Sequence, residues 1–122
     1  MPQNATPLRT EVVIHFPSEF DSLFPTWPFS TSSGCAVGYL NFPERPRDGD
    51  IVILPTRKKA GGTIALRVSS SCFIADSLVG ETPMVLQVSL QVRLAANYHS
   101  QSEHERTQVR SLIEALTDAG WN

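Results

Sequence analysis

What the chain lacks narrows it first. Two cysteines in 122 residues make no disulfide framework, and Cys35 and Cys72 stand too far apart for a short metal-binding pair. Two free, buried or half-buried thiols are expected. Ten lysines and arginines against twelve aspartates and glutamates leave a formal net charge of −2, with no basic surplus to neutralise a phosphate backbone. No nucleic-acid partner is expected. No apolar run reaches the roughly 18 residues of a membrane span, and the start Met-Pro-Gln-Asn-Ala-Thr-Pro has neither the basic nor the apolar region of an export signal. A cytoplasmic location without membrane insertion follows as the expectation. His15, His99 and His104 lack the close spacing of a zinc helix. No metal and no cofactor are therefore assigned.

What the chain has is alternation. In Leu86 to Leu94 the apolar Leu86, Val88, Leu90, Val92 and Leu94 interleave with Gln87, Ser89, Gln91 and Arg93, the period of a strand with one dry face. Earlier segments share that period. Thr10 to Phe16 places Val12, Ile14 and Phe16 on one face, and Pro17 ends it. Cys35 to Phe42 alternates again, with Gly38 marking a bulge or a close backbone approach. After a turn containing Asp48-Gly49, Asp50 to Leu54 is apolar on both sides and is expected to be covered on both. Thr63 to Ser69 returns from a basic loop at Arg57, Lys58 and Lys59, with Ile64, Leu66 and Val68 inward, and is expected to continue through Phe73 and Ile74. Arg67 and Arg93 read as solubilising charges on wet faces.

The last element is a helix. Ser102 and Glu105 form a capping box, Val109, Leu112, Ile113 and Leu116 make one apolar stripe, and Gly120 suits the position just past the end. The helix is expected over about 103–118, with Trp121 folding back onto its last turn. Residues 1–8 read as a flexible tail and 9–122 as one domain: a mainly β, small antiparallel barrel of about six strands closed by a C-terminal helix.

The order of these parts, with Ser30-Thr-Ser-Ser-Gly-Cys-Ala-Val, then Asp48-Gly-Asp-Ile-Val-Ile-Leu, a long strand and a capped helix, resembles the PilZ domain. That resemblance implies a small β-barrel with a terminal helix, and in many members a cyclic di-GMP receptor. The family grips its ligand with an Arg-x-x-x-Arg segment and an Asp/Asn-x-Ser-x-x-Gly segment. Here Arg9 stands for the second arginine, with Ala5 in place of the first. Ser30 replaces the Asp or Asn, Ser32 matches the serine, and Cys35 replaces the glycine, with Gly34 just before it. An arginine–phosphate hydrogen bond contributes about 1.5 to 3 kcal/mol, so losing one arginine and one guanine contact weakens binding by roughly 100-fold or more. Arg9, Ser30, Ser32 and Gly34 are the ligand residues if any nucleotide binds, and high affinity for cyclic di-GMP is not expected.

Two further constellations bear on function. Ser30, Ser32 or Ser33 with Lys58 or Lys59 evokes the serine–lysine dyad of LexA-like peptidases, but a lysine base must be buried and these sit in a glycine-bearing basic loop. Phe24, Trp27 and Phe29, stiffened by Pro25 and Pro28, form either an aromatic anchor for a protein partner or a plug for the barrel end. The expected function is that of a non-enzymatic, degenerate PilZ-like adaptor acting through protein contacts in a bacterial signalling, motility, pilus or secretion pathway. Its alternatives are a cyclic di-GMP receptor with a variant pocket, a small serine–lysine hydrolase, and an unrelated inhibitor or interaction protein. Edge strands of a partly open barrel also allow a homodimer.

Overall fold

The computed structural model describes residues 8–16, 28–29, 34–56, 62–75, 78, 80, 84–92 and 103–122. They form five strands and a helix: β1 (Leu8–His15), β2 (Cys35–Phe42), β3 (Ile51–Pro55), β4 (Thr63–Ile74), β5 (Val85–Val92) and α1 (Glu103–Asp118). The sheet order is β2-β1-β5-β4-β3, and the sheet curls into a half-barrel. The mainly β fold with a terminal helix is as expected. Among the described residues the strand count is five, where about six were expected.

The alternation of β5 is what organises this sheet. Leu86, Val88, Leu90 and Val92 are buried, and the central place of β5 lets each pack between neighbours on both sides. On one side β4 runs antiparallel to it. On the other, β1 is parallel, with Thr10 opposite Leu86, Val12 opposite Val88 and Ile14 opposite Leu90. The sheet is thus mixed where a purely antiparallel one was expected, because β1 and β5 are brought side by side by a long connection rather than a hairpin. Val109, Leu112, Ile113 and Leu116 of α1 close the same face, joined by Ala36, Leu54, Leu66, Val68 and Phe29 in one core. No helix among the described residues is long and apolar enough to cross a membrane.

Two local devices depart from simple alternation. A bulge between Val68 and Ser70 shifts the β4 register against β5. Leu66 and Val68 therefore point into the core, but beyond the bulge the odd-numbered Ser71 and Phe73 take that side. A second bulge precedes β3. Gly49 has φ of 91° and Asp50 N donates to Arg47 O at 3.0 Å, the positive-φ turn the Asp-Gly pair suggests. Gly49 N donates to Val68 O, and Val68 N to Asp50 O, both at 2.8 Å. Two residues thus face one, and the turn feeds β3 into register with β4.

The helix ends as its sequence suggests, in a Schellman motif. Trp121 N donates to Leu116 O at 3.0 Å and Gly120 N to Thr117 O at 3.1 Å, with Gly120 at φ of 84°. The motif reverses the chain so that Trp121 packs on the core over Gly38, where any β-carbon would collide with the indole ring. Gly38 is thus a close-approach glycine, not a bulge. Ser102, the expected cap, lies outside the described residues.

Candidate functional site

The two ends of this sheet, β2 and β3, differ in what covers them. In the β1–β2 ladder Phe16 N donates to Gly34 O at 2.7 Å, so the even-numbered residues of β2 bond to β1 and the odd-numbered ones present their N–H and C=O groups outward. Val37 is one of these, and Asn122 covers it: Val37 N donates to Asn122 O at 2.6 Å and Asn122 N to Val37 O at 2.8 Å. The segment after α1 therefore serves as a short extra strand on β2.

At β3 the edge is open. Thr56 N donates to Gly62 O at 2.9 Å and Asp50 O accepts from Val68 N, so the even-numbered residues of β3 face β4. Ile51 and Ile53 then point their N–H and C=O groups away from the sheet, and no described residue pairs with them. Pro55 is tolerated in this strand because the donor it lacks would lie on the unpaired side. Their side chains are also bare: Ile51 is 46% and Ile53 64% exposed. The expectation that this strand is covered on both faces is corrected here. Val52 and Leu54 face the core, while no described residue forms a layer above the outward pair.

Arg45 marks where this open edge stops. Its Nε donates to Ser71 Oγ and its Nη2 to Ser71 O, each at 2.8 Å, and its guanidinium lies 5.3 Å from the Phe73 ring centre. The connection between β2 and β3 is thereby tied across the half of β4 that β3 does not reach. An open cleft of ≈ 570 Å³ beside it is lined by Arg45, Pro46, Arg47, Asp48 and Ser71. Asp50 Oδ2 accepts from Arg47 N at 2.9 Å. With charges of both signs, the cleft favours neither anion nor cation.

The residues proposed from the sequence fare unevenly. Arg9 is exposed and its guanidinium sits 4.7 Å from the Tyr39 ring centre. It stands opposite Asn41, whereas Gly34 stands beside Phe16 at the other end of the ribbon. At about 3.3 Å per residue, about 23 Å of strand separates the two. They are not brought together. Gly34, at φ of 90° with a virtual β-carbon 3.3 Å from Phe16 O, serves the turn into β2. Ser30, Ser32, Phe24 and Trp27 lie outside the described residues. Phe29 is buried at 6% exposure among the core side chains, so this ring is not an exposed anchor. Pro28 before it is exposed.

Sequence reasoning missed the β3 edge. The signal lies in Ile51 and Ile53, apolar residues in a strand ending at a proline, a pattern that double coverage would also produce. No protein-family model matches the chain, and neither a curated protein nor a solved structure matches it.

Proposed function

We propose that this chain is a non-enzymatic, PilZ-like adaptor of the bacterial cytoplasm that binds a protein partner by strand addition at β3, and that it does not hold cyclic di-GMP with high affinity. The observation that carries this is the exposure of Ile51 and Ile53 on a terminal strand whose outward backbone groups are unpaired among the described residues. An added strand would take main-chain hydrogen bonds from both residues, each contributing about 0.5 to 1.5 kcal/mol net. It would also cover two isoleucines, and side-chain pockets alternating along such an edge supply specificity. The nucleotide reading draws less support. Arg9 is engaged with Tyr39 at the opposite end of the β1–β2 ribbon from Gly34.

Affinity capture from a bacterial lysate with the wild-type chain and with Ile53→Lys tests the proposal, since an edge lysine opposes strand pairing while its charge stays in water. A protein retained by the wild type and lost by the variant is expected, with folding stability unchanged to within about 0.5 kcal/mol. Identical proteins retained by both would remove β3 as the docking edge. Calorimetry with cyclic di-GMP separates the competitor. A saturable heat with a dissociation constant near ~1 μM, abolished by Arg9→Ala, would replace the adaptor with a receptor.

A further inference from the structure

His15 closes β1 and Cys35 opens β2, and the two are directly opposite in the antiparallel register. Because the hydrogen-bonded pair is the neighbouring Phe16 and Gly34, His15 and Cys35 form the non-hydrogen-bonded kind of pair, in which side chains approach most closely. The Cys35 Sγ and His15 Nδ1 atoms are 3.5 Å apart. Both side chains are half-buried, open enough for a small reagent and sheltered enough to hold their mutual geometry. Around them on the outer sheet face stand Val13 and Val37 one pair along, and Gln91 and Ser89 from β5. No carboxylate or guanidinium of a described residue stands opposite His15. The nearest outward charge on its own strand is Glu11, beyond Val13.

We infer that Cys35 and His15 form a nucleophilic thiol–imidazole pair that exchanges with low-molecular-mass disulfides, a modification site independent of the β3 edge. With its hydrogen on Nε2, the imidazole accepts the thiol proton at Nδ1 as Sγ attacks one sulfur of the disulfide. The new Cys35 S–S bond forms as the reagent's S–S bond breaks, and the departing thiolate takes the proton back from the imidazolium. One protein thiol and one disulfide become one mixed disulfide and one free small thiol, with no outside oxidant. Cys72 is the built-in comparison. It is the more exposed of the two thiols, and no described histidine contacts it.

The test is the exchange of the intact chain with 5,5′-dithiobis(2-nitrobenzoic acid) at neutral pH, with the modified cysteine located by peptide mass. Cys35 is expected to react first despite its lower exposure, and His15→Asn to slow it by about tenfold or more while leaving the Cys72 rate unchanged. Earlier reaction of Cys72 in the wild type overturns the pair without any variant being needed. So does an unchanged Cys35 rate in a folded His15→Asn protein.

Discussion

The two margins of this sheet are both edge strands, yet one is finished and the other is not. At β2 the segment after α1 covers the margin: a Schellman turn places Trp121 over Gly38 and pairs Asn122 with Val37 in both directions. At β3, Ile51 and Ile53 expose backbone and side chain together. An open, apolar edge invites pairing with any available strand, and proteins ordinarily blunt it with charge, proline or a covering segment. Here Pro55 shortens β3 and Arg45 fastens the connection before it, leaving an opening two outward residues long. That restriction distinguishes a docking edge from an aggregation hazard, because a short opening limits how many backbone bonds a partner can gain.

The contrast can be broken most severely at Gly38. Any β-carbon there meets the Trp121 ring, and crowding of a packed site costs about 1 to 3 kcal/mol. Gly38→Ala is therefore expected to lower stability by about that amount, to shift Trp121 emission to the red in a Trp27→Phe background, and to release Asn122 from Val37. Combining it with Trp121→Ala should cost less than the two changes summed, since the second removes the atoms in collision. Unchanged emission would mean that the indole does not rest on β2.

A smaller and sharper effect comes from proline at equivalent outward positions on the two edges. Val37→Pro removes a donor engaged by Asn122 O and should cost about 1 to 2 kcal/mol in chemical denaturation. Ile53→Pro removes one that faces solvent and should cost less, about 0.5 to 1 kcal/mol from lost side-chain and backbone fit. Equal losses would show that the two margins are equally covered.

How much of this was legible beforehand follows from the range of each interaction. The inward residues of β5 and the stripe of α1 are local periodicities, and both appear in the fold where the alternation and the helical spacing place them. Gly120 and Trp121 carry a local capping motif, which is why the return of the chain was visible too. The parallel pairing of β1 with β5 was not, since alternation defines a face but not a neighbour. The change of parity after Val68 escaped because a single inserted residue leaves no mark in a row of serines. His15 and Cys35 are brought together only by strand register, so neither residue signalled the other. The β3 edge was misread for a related reason. Apolar residues on both faces of Ile51 to Leu54 speak of two contacts, and only the exposure of Ile51 and Ile53 reveals that one is missing. The place of Phe29 was not legible because a ring beside a proline has the same composition whether it enters a core or faces a partner.

Amide hydrogen exchange, read residue by residue on the free chain, measures the difference between the margins most directly. The Val37 amide, donating to Asn122, is expected to be protected, while the outward Ile53 amide exchanges at nearly the rate of an open chain and becomes protected when the partner strand is added. An Ile53 amide already slow in the isolated monomer would contradict an open β3 edge, and with it the docking role assigned to that strand.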